Sequence, residues 1–186
     1  MKYRTLDLFS GVGGLTLGTR EWCETVYYCE YDTNCRTVLQ ARMEDGSIDT
    51  APIHDDVRTI GTTKMLTANG EELCDVDCII AGYPCTNISS QGNKQGLNGA
   101  KSGLFYRVIE AAKRYTPSML ILENVANLLS MTDVHQTVLK SIHDAGYTYV
   151  RWITVSAADI GAPHGRKRVF MIAKRNAPDR LHGGIV

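Results

Sequence analysis

Short apolar runs alternate with helix-like stretches along most of this chain, and that alternation constrains the fold more than any other feature. Strands are expected at "TLDLF" (5–9), "TVYYCEY" (25–31), a short "DDV" (55–57), "VDCIIAG" (76–82) and "SMLILENV" (118–125), each rich in β-branched or aliphatic residues. Between them lie helical segments over 13–22, 33–43, 103–115 and 133–146. In the last of these Val134, Val138, Leu139 and Ile142 recur at helical spacing, and Gly146 is placed to stop the helix. Strands alternating with helices imply an α/β fold with a mostly parallel sheet covered on both faces. The end of the chain departs from the pattern: 148–157 and 167–175 are consecutive strands with no helix between them, so they are expected to form an antiparallel hairpin at the sheet edge.

Composition bounds the classes of protein this can be. With 186 residues, 44% of them hydrophobic and 22% charged, the chain suits one domain with a sizeable core. No apolar run approaches the roughly 20 residues that span a bilayer, and "MKYRTLDLFS" lacks the apolar core of a secretion signal, so no membrane partner is expected. A reducing compartment follows, the cytoplasm of a bacterial or phage-infected cell or a eukaryotic nucleus, with the six cysteines as thiols. No C-x-x-C pair and no histidine pair at zinc-ligand spacing is present, so no metal is expected, and every cysteine except Cys85 reads as a buried thiol. Net charge is 0 but unevenly spread: from Lys140 onward eight Lys and Arg face three acids, which leaves that segment at +5 and residues 1–139 at −5. A local basic patch facing nucleic acid and a merely solvated basic edge both fit this distribution.

In an open α/β sheet ligands bind at the carboxyl ends of the strands. Four stretches fall there. "DLFSGVGGL" (7–15) runs from strand through glycines into a helix, where backbone can approach a ligand closely. As a dinucleotide fingerprint it fails, because Thr16 stands where the third glycine belongs. "CEYD" (29–32) ends the next strand and places Glu30 about 20 residues after the glycine loop, the position of an acid that binds ribose hydroxyls. Tyr31 beside it offers an aromatic face for adenine, and Asp56 ends the third strand. The third stretch is "GYPCTNISS" (82–90), which carries Cys85. The fourth is "LENV", where Glu123 follows an apolar run that makes an unpartnered carboxylate costly. Cys85 and Glu123 are expected on adjacent central strands, a nucleophile and an acid, with a cation from the "GRKR" loop nearby.

"DLFSGVGG", "GYPCTNIS", "ENV" and "GAPHGRKRVF" resemble, in order and across nearly the whole chain, the successive motifs of the cytosine carbon-5 DNA methyltransferases. The resemblance implies a Rossmann-like, S-adenosylmethionine-dependent methyltransferase fold with its edge hairpin. It places Phe9, Gly11 and Gly14 along S-adenosylmethionine, Glu30 on its ribose, Tyr31 on its adenine, and Asp56 and Val57 at the adenine edge. Gly82, Pro84 and Leu104 would close the pocket from the other side. Cys85 would be the nucleophile, Glu123 the acid and Arg168 the clamp on the base oxygen, with Ser89 and Arg166 on DNA phosphates. The stretch 89–103, polar and glycine-rich, reads as a loop that could close over DNA.

Two departures accompany the likeness. His164 stands where the family commonly has glutamine, two residues before the arginine pair Arg166 and Arg168. The family's target-recognition region and final asparagine-containing motif have no counterpart in these residues. The expected organisation is therefore a cofactor-binding catalytic domain over 1–176 and a tail over 177–186, with DNA as partner and a second chain that could supply target recognition. Methylation of RNA cytosine, or a cofactor- or partner-binding role without catalysis, remains open at this level.

Overall fold

The computed structural model describes residues 1–60, 62–84 and 103–175. Seven strands form a single sheet: β1 (Tyr3–Leu8), β2 (Cys23–Cys29), β3 (Ile53–His54), β4 (Cys78–Ala81), β5 (Met119–Val125), β6 (Tyr149–Ser156) and β7 (Lys167–Lys174), in the order β3-β2-β1-β4-β5-β7-β6. The pairs among β1 to β5 are parallel. β7 inserts between β5 and β6 and runs antiparallel to both, so the terminal hairpin closes the sheet edge as its sequence requires.

Among the described residues four helices cover the sheet: α1 (Gly14–Thr19), α2 (Thr33–Glu44), α3 (Leu104–Tyr115) and α4 (Thr132–Asp144). Strand alternation divides the side chains between two cores. Leu6, Leu8, Ile79, Ala81, Leu120, Leu122 and Met171 face α3 and α4, whose Phe105, Val108, Val138 and Ile142 are buried against them. On the opposite face Cys78, Ile80 and Met119 pack with Leu15 of α1, while Tyr28 packs with Leu39 of α2. At the far end of the sheet Arg175 fastens the main core: its Nε donates to Pro117 O (3.0 Å), its Nη2 to Ala112 O at the end of α3 (3.2 Å), and its guanidinium lies 4.5 Å from the centre of the Tyr147 ring. Gly146, with φ +92°, ends α4 as expected.

Three expectations are corrected. The strand read at 55–57 is Ile53–His54 instead, and Asp56 caps a 3-10 turn over Val57–Thr59, its side chain accepting from Arg58 N. A short acidic side chain that satisfies the following backbone favours a turn over a ladder. The helix read over 13–22 is only Gly14–Thr19, because Gly18 weakens it and Trp22 N turns back to Thr19 O. Among the cysteines Cys23, Cys29 and Cys78 are buried, but Cys74 is exposed and Cys35 partly so, since neither lies on a core-facing strand.

Candidate active site

Leu8 pairs with Cys29 of β2 and Ala81 of β4, and Ala81 pairs with Leu122 of β5, so four neighbouring strands share one register row at their carboxyl ends. The next residue on each is Phe9, Glu30, Gly82 and Glu123. The parallel ladder therefore brings four residues from distant parts of the sequence into one line along the crevice.

At the first of these ends the chain leaves β1 through Phe9 (φ +56°), an uncommon conformation for a residue with a side chain, and Gly11 and Gly13 continue at φ +53° and +83°. Gly13 suits its positive φ, and a Cβ there would press on the Leu39 Cδ2 methyl at 3.2 Å. The loop is held from two sides. Gly11 N donates to Glu30 Oε2 and Asp32 N to Glu30 Oε1, both at 2.7 Å, while Arg42 of α2 donates to Val12 O. A Cβ at Gly14 would meet nothing within 4 Å, which leaves the backbone at the start of α1 open to a ligand.

Tyr31, next along, is 72% exposed. Arg58 lies over its ring, 5.8 Å from the centroid, and makes a forked ion pair with Asp56 (Nη2 to Oδ2, 2.6 Å; Nε to Oδ1, 2.8 Å). That hydrogen-bonded guanidinium holds the Asp56 carboxyl below the ordinary carboxylate range. Val57 is buried under this corner.

At the other end of the row Glu123 meets Arg168. Glu123 is paired across the ladder with Phe170, and Arg168 with Val125, which makes Arg168 a diagonal neighbour of Glu123 on one face. Arg168 Nε lies 2.7 Å from Glu123 Oε1, and both side chains keep about a quarter of their surface exposed (27% and 22%). The expected desolvation of Glu123 is thus met by an ion pair rather than left uncompensated. Its second oxygen lies 3.4 Å from where a Cβ on Gly82 would stand, so the carboxylate sits against the end of β4. Tyr83 packs on Phe105 of α3, ring centres 5.3 Å apart, and Leu104 packs against the same core. Asn124 is buried and donates to Tyr83 O (3.3 Å), which ties β5 to the segment leaving β4 just before the partly exposed Pro84.

The hairpin loop is ordered by its own side chains. Asp159 accepts from Ser156 N (2.8 Å) and Ser156 Oγ from Ala158 N (3.3 Å), and His164 Nδ1 accepts from Arg166 N (3.4 Å). Arg166 and Lys167 are exposed beside Arg168. Cys85, Ser89 and the polar stretch from 89 to 102 lie outside the described residues.

Sequence reasoning missed Asp7. It is fully buried on β1 beneath the glycine loop; Thr16 Oγ1 donates to its Oδ2 (2.6 Å), and its Oδ1 has no hydrogen-bond partner among the described residues. Burial pushes its carboxyl up to about 7, with the Thr16 hydrogen bond opposing and the nearby Glu30 charge adding. Thr16, which breaks the dinucleotide fingerprint, therefore turns its hydroxyl inward to Asp7. Arg58 and Asn124 were missed as well; the only signal for Arg58 was its position two residues after a capping acid.

The C-5 cytosine-specific DNA methylase family profile matches residues 3–182. The chain belongs to that family. It is similar to the type II methyltransferase M.CviJI of Paramecium bursaria Chlorella virus IL3A, with 34% identity over 175 residues covering 94% of this chain and 44% of the relative. Likeness to M.Bsp6I of Bacillus sp. (strain RFL6) is 30% identity, covering 91% and 51%. The chain thus spans about half the length of these curated relatives. Among solved structures, S. pombe Dnmt2 methyltransferase superposes with a TM-score of 0.67 at 18% identity, covering 97% of this chain and 53% of that one, which establishes a shared fold. The seven-stranded, mostly parallel sheet is thus a fold shared with solved methyltransferase structures. Among the described residues no helix is long and apolar enough to cross a membrane.

Proposed function

We propose that this chain is the cofactor-binding and catalytic part of a DNA cytosine-5 methyltransferase, residues 1–176 forming that domain and 177–186 leading toward target recognition supplied by further polypeptide or a second chain. The observation that carries the reading is the single register row that ends in Phe9, Glu30, Gly82 and Glu123, with Arg168 2.7 Å from Glu123. One end of the row offers an open glycine turn and a carboxylate, the other an acid and a guanidinium.

The residues present suit S-adenosylmethionine. Glu30 uses one lone pair on each oxygen for Gly11 N and Asp32 N, which leaves acceptor sites for two ribose hydroxyls. Tyr31 would stack on adenine, Asp56 and Val57 would meet its edge, Phe9, Gly11 and Gly14 would line the cofactor, and Gly82, Pro84 and Leu104 would close the far wall. Bound there, S-adenosylmethionine would supply an electrophilic methyl group on a sulfonium.

Carbon 5 of cytosine is too weak a nucleophile to take that methyl unaided. In this reading the Cys85 thiolate adds to carbon 6, while a proton shared between Glu123 and ring nitrogen 3 draws electron density into the ring and Arg168 polarises the carbonyl oxygen, so carbon 5 becomes nucleophilic. Once carbon 5 carries the methyl group, loss of its proton restores the ring and breaks the bond from sulfur to carbon 6, which frees the Cys85 thiolate. A cytosine inside a duplex cannot reach this crevice, so the base must be flipped out, with Ser89 and Arg166 on the adjoining phosphates. Relatives in bacteria and a chlorella virus support a cytoplasmic setting.

The test is methyl transfer from tritiated S-adenosylmethionine to unmethylated DNA and, in parallel, to transfer RNA. Label recovered as 5-methylcytosine in DNA supports the reading. Label in RNA alone would refute the substrate, and folded protein that binds the cofactor but labels neither would refute self-sufficient catalysis.

A further inference from the structure

Arg58 joins two groups that come from different strand ends. Its Nε donates to Asp56 Oδ1 (2.8 Å) and Oδ2 (2.9 Å), its Nη2 to Oδ2 (2.6 Å), and its backbone N to Oδ1 (2.9 Å), while Cζ lies 5.8 Å from the centre of the Tyr31 ring. Without this bridge Tyr31 would be an exposed ring free to change rotamer, and Asp56 a carboxylate at the tip of a turn. We propose that Arg58 is a positioning residue that sets base specificity in the purine subsite, a step that rests on reading Tyr31 and Asp56 as the adenine-contacting pair.

A carboxylate has about four acceptor sites, and Arg58 occupies three of them with three protons: its backbone N–H on Oδ1, its Nε–H shared between Oδ1 and Oδ2, and one from Nη2 on Oδ2. One site is left. It accepts a single N–H, as an exocyclic amine offers, and repels a carbonyl oxygen at the same place. A 6-amino purine therefore fits and a 6-oxo purine does not. The guanidinium also covers one side of the Tyr31 ring, which leaves the base the other side and orders the platform before it arrives, so less freedom is lost on binding. Lysine cannot replace Arg58, because an ammonium has neither the planar fork for Asp56 nor the flat surface for the ring.

Titration calorimetry with S-adenosylhomocysteine and S-inosylhomocysteine tests this on the wild-type protein, Arg58→Ala and Arg58→Lys. Arg58 is largely exposed, and thermal melting checks that each variant folds. The wild type is expected to bind the adenosyl compound and discriminate against the inosyl one, each variant to bind the adenosyl compound about tenfold more weakly, and the discrimination to shrink as Asp56 loses its orientation. If the wild type binds neither compound, the cofactor reading itself is wrong. If it binds the adenosyl compound and Arg58→Ala matches it in affinity and discrimination, the cofactor reading stands and the role of Arg58 is refuted. Full restoration by lysine would overturn the bidentate argument.

Discussion

Replacing Asp7 by asparagine should make the protein more stable at neutral and alkaline pH, and the gain should vanish in acid. Asp7 is fully buried, its Oδ1 lacks a hydrogen-bond partner among the described residues, and its carboxyl is raised from 3.8 to about 7, mainly by burial. Because the folded state holds the proton more tightly than the unfolded chain, stability falls as pH rises from about 4 to about 7 and levels off above that. With 1.36 kcal/mol for each tenfold change in proton affinity, the folded protein carries a penalty of about 4 kcal/mol once Asp7 is ionised, and roughly 2 to 3 kcal/mol of it develops between pH 5 and pH 8. Asparagine retains the acceptor for Thr16 Oγ1 and cannot ionise. Urea denaturation of wild type and Asp7→Asn at several pH values isolates this group, since every other titration is common to both. The predicted difference in unfolding free energy widens with pH in favour of the variant. A difference that is constant with pH, or that widens in favour of the wild type, would refute the burial argument for Asp7.

Other outcomes follow from the same geometry. Glu123→Gln should leave S-adenosylhomocysteine affinity within about twofold while slowing methyl transfer by about a hundredfold or more, as expected for loss of a preorganised polar group; equal loss of binding and turnover in radiolabel and calorimetric assays would contradict its place at the base. Glu30→Ala removes the acceptor for Gly11 N and Asp32 N, so cofactor binding should weaken by about tenfold or more and the Gly11 amide should exchange faster; unchanged affinity by calorimetry would contradict the clasp. Arg175→Ala loses two hydrogen bonds to buried carbonyls and the stack on Tyr147, and should cost roughly 1 to 3 kcal/mol in urea unfolding without altering cofactor affinity; an unchanged midpoint would show that its contacts contribute nothing.

What the sequence made legible was the set of strand ends. An apolar run that stops at a glycine or an acid marks the point where a strand leaves the sheet, and Phe9, Glu30, Gly82 and Glu123 all follow such runs. That these four share one row was not legible, because register is a property of paired strands. The Glu123–Arg168 contact shows the limit: two strands can be read from 118–125 and 167–175, but only the antiparallel ladder of β5 on β7 puts the two side chains diagonally opposite. At 55–57 the misreading had a specific cause. A valine after two aspartates looks like a strand end, whereas Asp56 satisfies the backbone that follows it and so makes a turn. That turn carries Arg58, which explains why it escaped notice. Asp7 was hidden by the opposite effect: strand alternation places it across from Leu6 and Leu8, but nothing in the pattern shows that α1 buries that side and turns Thr16 toward it.

The central claim is that these residues attack cytosine through Cys85 with Glu123 and Arg168 around the base. Covalent trapping tests it most directly: the protein is incubated with S-adenosylmethionine and DNA containing 5-fluorocytosine, in which the carbon-5 position cannot release a proton, and adducts are resolved on a denaturing gel beside Cys85→Ser. The account predicts a protein–DNA adduct that forms with the wild type and is lost in the variant. A wild-type protein that is folded and binds S-adenosylhomocysteine yet yields no adduct, or an adduct that persists in Cys85→Ser, would contradict it.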